Sequence, residues 1–410
     1  MSYFDNDRQY IIDNISQFFS NNKQGLINVT DKIKNNSKKI LMIIMVIIIL
    51  IIIIIVILNI ESVRVPRCLK DMDIFTNERI PIINNPEIMT NDYRLCDFVV
   101  ASAYRCYLPC SHSFDYASVE SVKKCILKGA RYLHFDIFAN KFGTDAEPIV
   151  CNGREEGNWH WTTSINFEDV CKVINEYALG MVRRVDETIV KVNNATITNT
   201  EDPLFIHLNF KCWNNRIVID KCADILLKYF RTRMLDTKYS YCGINSNTNI
   251  ALTPIKELVG KVIIVCDAED VNDITYTKMY ELSNLSSKLA GNLRLLSSDN
   301  VKNTYSINEL TDYCKQNMVI VYPGTMDNRN YNFYTPWYIG CQFISMNFTN
   351  VEPFMKNYLG KDTRFMKYSI VLKPKQLRYK PILIDPPVKQ NPNVSFKPDT
   401  LTTGYGSFTI

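Results

Sequence analysis

Tyr132-Leu133-His134-Phe135-Asp136-Ile137-Phe138 decides the fold: it is a short apolar run, broken only by a histidine and an aspartate two residues apart, and it follows a helical pattern at 118–127. The same alternation continues on both sides. Apolar runs at 98–103, 148–151, 204–210 and 262–266 are interleaved with helical patterns at 167–177 and 223–230. Further strand candidates lie at 293–296, 319–322 and 343–348, with a helical pattern at 307–316. Strands that alternate with helices predict a parallel sheet covered by helices. About eight strands over residues 92–378 predict an α/β fold, a closed (β/α)8 barrel of the TIM type rather than an open sheet.

Ahead of the barrel, residues 40–58 read ILMIIMVIIILIIIIIVIL, nineteen apolar residues without a charge. That is the length a helix needs to cross a hydrocarbon core of about 30 Å, and no face of it keeps a polar stripe. The expectation is a single transmembrane helix at 39–60, retained rather than cleaved because the run begins too far from the start for a signal peptide. Residues 1–38 are a polar arm in which Ile11, Ile12, Ile15, Phe18 and Phe19 mark one short amphipathic helix, 61–91 with Pro66, Pro81 and Pro86 is a linker, and 379–410 is a Pro-rich tail. Lys32, Lys34, Lys38 and Lys39 precede the span, against Arg64, Arg67 and Lys70 after it, which places the amino terminus in the cytosol and the barrel on the lumenal or exterior side. All the cysteines stand at or after Cys68, where that side would let disulfides form.

A net charge of +5 from 47 basic and 42 acidic residues, with no basic run in the soluble part, argues against a nucleic-acid partner. With 46% hydrophobic residues the chain has the material for a large core and is not disordered.

Motifs in order along 92–378 resemble the catalytic X and Y regions of the eukaryotic phosphoinositide-specific phospholipases C, within the superfamily of phospholipase C-like phosphodiesterases. The first half carries Ser118-Val119-Glu120, Lys128-Gly129-Ala130-Arg131, Glu147-Pro148-Ile149-Val150, Phe167-Glu168-Asp169-Val170 and Leu258-Val259-Gly260-Lys261-Val262-Ile263. The second carries Val321-Tyr322-Pro323, Asn330-Tyr331, Trp337, Gly340-Cys341-Gln342, Met346-Asn347-Phe348 and Ile370-Val371-Leu372-Lys373-Pro374. The resemblance implies a barrel whose mouth holds a calcium ion on oxygen ligands, two histidines for acid–base work and basic residues for inositol phosphates. It also implies that the apolar helix substitutes for the family's lipid-binding accessory domains.

Carried over position by position, most of those groups are replaced. The first family histidine matches Tyr104 and the neighbouring asparagine ligand Arg105; the second histidine matches Asn152, with His160 in the following loop as a possible substitute. Of the family's Glu-x-Asp pair, His134 and Asp136 stand here, and the last carboxylate ligand matches Asn209. The two lysines match Val265 and Asp267, and the arginine before Tyr322 matches Ile320. Tyr107, Arg131, Trp337 and Gln342 match positions assigned to packing.

Asp136 and Asn209 alone make a poor calcium site, and Arg105 adds a fixed positive charge beside it. No cofactor is expected. The expectation for Arg105 is an ion pair with Asp136, against the plainer alternative that it points to solvent. A zinc site from His134, Asp136 and His207 is a lesser alternative to three ordinary core residues. Cys151 is expected to be a buried, inert thiol, and His112 has no evident role. The leading expectation is a membrane-anchored, catalytically inactive barrel that binds a protein or an anionic phospholipid headgroup through Arg105, Arg154 and Tyr322. The runner-up is an active phosphatidylinositol phosphodiesterase rebuilt on His134, Asp136, His160 and Arg105. A third reading is a structural membrane component that docks through residues 1–38.

Overall fold

A computed structural model describes residues 37–110, 115–154, 159–160, 163–183, 189–191, 198–212, 215–240, 248–268, 272–288, 292–324, 329–360, 364–381 and 398–409. Residues 1–36, which hold most of the expected amphipathic arm, lie outside them, as does His112. The chain enters as a long helix, α1 (Ser37–Asp71). The barrel follows as β1 (Phe98–Ala103), α2 (Val119–Leu127), β2 (Tyr132–Ala139), α3 (Phe167–Val173), β3 (Leu204–Phe210), α4 (Arg216–Phe230) and β4 (Val262–Ala268). It continues through β5 (Leu293–Ser297), α5 (Ile307–Cys314), β6 (Met318–Tyr322), β7 (Phe343–Met346) and β8 (Ile370–Leu372).

The strands pair in the order β4-β3-β2-β1-β7-β6-β5, all parallel, so their carboxyl ends open onto one mouth. This is a TIM-type α/β barrel with a mixed sheet, since β8 adds antiparallel to the base of β1 and Pro148–Val150 adds antiparallel to the end of β2. Closure is not complete. Among the described residues no continuous ladder joins β4 to β5; only Leu285 bridges to Val265, and the closed eightfold ring expected from the sequence is therefore open there. The amides of Asn284 and Leu285 both bond the Ile264 carbonyl and the Cys266 amide bonds the Leu285 carbonyl, so this segment spends its backbone groups on β4 and, among the described residues, makes no ladder to β5.

Alternation along each strand sorts side chains into two layers. Val99, Ala101, Leu133, Phe135, Ile206, Leu208, Ile264 and Ile344 face the helices. Phe98, Val100, Tyr132, Phe205, Ile263, Met318, Ile320 and Phe343 fill the barrel interior. α4 shows why the outer layer closes: Asn215 caps it by accepting from the Val218 amide, and Val218, Ile219, Cys222, Ala223, Leu226 and Phe230 bury one face at helical spacing.

Two boundaries differ from the expectation. The segment 61–91 is not a free linker: α1 runs on to Asp71, and Met72, Phe75, Ile82 and Ile88 are buried against the barrel. Arg79 fastens it further by donating to the Lys128 carbonyl at 2.7 Å. In the tail, Thr400–Thr403 and Gly406–Thr409 form an exposed hairpin, and the tail prolines at 386, 387 and 392 lie outside the described residues.

The apolar run falls within α1, where its side chains from Leu41 to Ile55 are exposed. Its ends lie outside the described side chains. Among the described residues no helix is long and apolar enough to cross a membrane.

Candidate functional site

Three adjacent strands place their inward side chains in rows. Tyr132 is level with Phe205, His134 with His207, and Asp136 with Asn209; β4 extends the last two rows with Val265 and Asp267. The interior therefore changes from apolar at the base to polar at the mouth within two pleats, which is what residues spaced i, i+2, i+4 on parallel strands must produce.

Asp136 is the centre of the upper row. Its side chain is 1% exposed, and Arg105 Nε lies 2.8 Å from Oδ2, a charge contact rather than an aligned hydrogen bond. The Tyr107 hydroxyl donates to the same oxygen at 2.8 Å. Asn209 Nδ2 donates to Oδ1 at 2.8 Å, and Lys211 Nζ stands 3.7 Å from it. Burial alone would raise the Asp136 carboxyl; Arg105 and Lys211 reverse this and hold it far below the usual carboxylate range. Burial alone would lower the Arg105 guanidinium, and Asp136 raises it above its ordinary value.

Arg105 reaches Asp136 from an unusual backbone. At φ 45° it is the one non-glycine residue with positive φ among those described, in the turn that ends β1. A left-handed arginine costs conformational energy, on the order of 1–3 kcal/mol, and such strain persists where surrounding contacts fix it. The expected pairing is thus present, and the solvent-facing alternative is not.

Beneath this cluster runs a column of rings. Tyr322 stacks on Tyr104 at 6.2 Å between centroids, Tyr104 on His134 at 4.8 Å, and His134 meets His207 edge-on at 4.8 Å. Burial pushes the His134 imidazole well below its ordinary value, so it is neutral, and its Nδ1 is buried without a hydrogen-bond partner among the described residues. His207 is held differently. Its Nε2 lies 3.0 Å from Asp267 Oδ2 and its Nδ1 pairs with the Tyr132 hydroxyl. Asp267 also accepts from the amide and hydroxyl of Ser287, both at 2.8 Å. Burial raises the Asp267 carboxyl, and the bonds from His207 and Ser287 more than offset this to lower it. An ionised Asp267 accepts a hydrogen bond from His207 Nε2–H, which leaves Nδ1 to accept from the Tyr132 hydroxyl and fixes the tautomer.

That arrangement corrects the zinc alternative. His134, Asp136 and His207 do not converge, because His207 is committed to Asp267 and Tyr132 while Asp136 is enclosed by cations; among the described residues no group of three His, Cys, Asp or Glu side chains could hold a metal. Nor do the residues fit calcium. Both oxygens of Asp136 already face Arg105, Tyr107, Asn209 and Lys211, and a divalent ion would need to displace two positive charges.

The other expected site residues spread out. Asn152 is buried just past Pro148–Val150, and Arg154 is exposed on the short hairpin it forms with Trp159. His160 lies edge-on to Phe138 at 5.4 Å, the next inward position beyond Asp136 on β2; burial lowers it. Cys151 is buried and burial raises its thiol, as expected of an inert cysteine. Sequence reasoning missed Lys211, although it continues the alternation two residues after Asn209. It also assigned Tyr107 to packing, when its hydroxyl is a partner of Asp136.

Comparison with known proteins agrees with this architecture. Residues 91–267 match the family described as phosphatidylinositol-specific phospholipase C, X domain. No curated protein matches. Among solved structures, the chain is similar to the PLC21 of S. officinalis, with 19% identity and a TM-score of 0.52. It is similar also to the PLC21 of L. pealei, with 20% identity and a TM-score of 0.53. In both cases 70% of this chain aligns with 38% of the other, so it spans well under half the length of those proteins.

Proposed function

We propose that this chain, which belongs to the superfamily of phospholipase C-like phosphodiesterases, uses its barrel as a membrane-anchored binding module and does not cleave phosphoinositides. One observation carries the reading: the carboxylate at the mouth is neutralised by Arg105 and Lys211 in place of an ion. Tyr104 and Asn152 stand where the resemblance calls for histidines, and the loss of an acid–base group costs on the order of 10²- to 10⁴-fold each.

Arg105 and Lys211 flank Asp136 with side chains that are 17% and 21% exposed, so both cationic groups stand within reach of solvent at the mouth. That favours an anionic ligand such as a phospholipid headgroup, with Arg105, Lys211, Arg154 and Tyr322 as the contacting groups. A protein partner remains the alternative occupant. The apolar run in α1 supports anchoring in a bilayer, and the Cys68–Cys110 disulfide supports an oxidising side for the barrel.

The test is direct. The full chain in mixed micelles of phosphatidylinositol and its phosphorylated forms, with and without calcium, should release no inositol phosphate above the buffer rate. Measurable release would establish the rebuilt phosphodiesterase instead, with His134, Asp136, His160 and Arg105 as its groups. Binding is read separately, as retention on vesicles carrying anionic headgroups that falls when Lys211 is changed to alanine.

A further inference from the structure

We infer that α1 is clamped along the side of the barrel so that the mouth is held at headgroup level of the membrane that α1 crosses. The inference rests on the anchor reading above and adds the direction and height of the mouth, which that reading leaves open.

The argument is a ladder of contacts between α1 and α2. α2 begins on the mouth side, because it follows the carboxyl end of β1, and it ends at the base, where β2 begins. At the mouth level, Cys68 is bonded to Cys110 in the β1–α2 loop, and Arg64 Nε lies 3.8 Å from Asp115 Oδ1 in the same loop. Toward the base, Asp73 lies 2.5 Å from Lys124 Nζ and 3.6 Å from Lys128 Nζ, and Lys128 donates to the Phe75 carbonyl at 2.7 Å. The chain from Arg64 to Phe75 therefore runs beside α2 from mouth to base, and the part of α1 before Arg64 leads outward past the mouth. Met72 and Phe75, buried at the lower end, make the seat a packed one. Pro66, the one residue that could kink the helix, lies between Arg64 and Cys68, so both sides of it are fastened.

Height follows from helix geometry. The six residues from Arg64 back to Leu58, where the apolar run ends, rise about 9 Å. Headgroups occupy about 5–8 Å on each side of a hydrocarbon core. A helix crossing near the bilayer normal thus sets the β1–α2 loop at the outer edge of the headgroup layer. Two exposed apolar side chains stand at the same end: Phe142, in the loop after β2, is 73% exposed, and Ile217, at the start of α4, is 40% exposed. Asn215 Nδ2 ties these neighbouring segments by donating to the Gly143 carbonyl at 3.3 Å.

The experiment uses the full chain in phosphatidylcholine–phosphatidylinositol vesicles, with a photoreactive phenylalanine in place of Phe142 at the mouth or of Ile83 at the base. The expected result is a lipid adduct at position 142 several-fold stronger than at 83, on protein that resists a carbonate wash. Protein released by the wash would sink the anchor and this inference together. Resistant protein with equal adducts, or a stronger one at 83, would overturn this inference alone. Cys110→Ser is expected to weaken the adduct at 142 several-fold while leaving the chain in the membrane, and an undiminished adduct counts against the clamp. Mild reduction of the folded wild-type protein gives the same comparison without a substitution.

Discussion

Arg105 Nε stands 2.8 Å from Asp136 Oδ2, and that pair organises the mouth of the barrel: a guanidinium on a left-handed turn after β1 meets a carboxylate that is 1% exposed on β2. Removing one member of a buried pair leaves the other uncompensated, at a cost of about 3–5 kcal/mol. Arg105→Ala should therefore lower the melting temperature clearly, even with Lys211 still nearby. Asp136→Asn added to it should recover part of the loss, since no buried charge then remains. A double-mutant cycle on thermal unfolding reads the coupling, and independent, additive effects would refute it.

Calcium affinity should be recoverable by rebuilding the oxygen ligands that the resemblance implies. Arg105→Asn, His134→Glu and Asn209→Asp together place three carboxylates and an amide at the mouth. The triple variant should gain a melting temperature that rises with calcium, while the natural chain shows no calcium-dependent shift. A rise in the natural chain would mean that the Arg105 pair opens to admit the ion.

Asp202 predicts a pH dependence of stability. Burial raises its carboxyl to about 6, against the opposing effects of Arg131 and the Ile82 amide, from an ordinary 3.8. A raised folded value means that the native state holds the proton more tightly than the unfolded chain. The stabilising contribution is therefore full below about pH 4 and is lost as pH rises through about 6, on the order of 3 kcal/mol. Asp136 has the opposite sign: its folded value is depressed, so its contribution is present above 3.8 and fails only as pH falls below that. Between pH 4 and 6, then, Asp202→Asn should flatten the profile. Melting temperatures taken across that window in both proteins decide it.

Gly129 should not tolerate a side chain. It adopts φ +96°, and a Cβ there would come within 2.5 Å of Nε of Arg79, the side chain whose Nη2 fastens the 61–91 segment to the barrel. Gly129→Ala is expected to cost on the order of 1–3 kcal/mol and to quicken proteolysis between residues 76 and 91. Unchanged cleavage there would show that Arg79 is not what holds the segment.

The order and type of the barrel strands were legible from the sequence, because buried parallel strands and their covering helices leave apolar runs of distinct period along the chain. The partnership of Arg105 with Asp136 was legible too, since the registered motif placed the one residue beside the other. Lys211 and Tyr107 were not, because their relation to Asp136 depends on where a strand ends and how a turn closes. The commitment of His207 to Asp267 and Tyr132 likewise lies across three strands, and no local pattern encodes it. The apolar run from Ile40 to Leu58 follows from the sequence alone, since composition is a local property of the chain. The direction in which the barrel faces relative to that helix was settled only by tertiary structure, because it depends on Cys68 meeting Cys110 and Asp73 meeting Lys124 across segments that become neighbours only when the barrel folds.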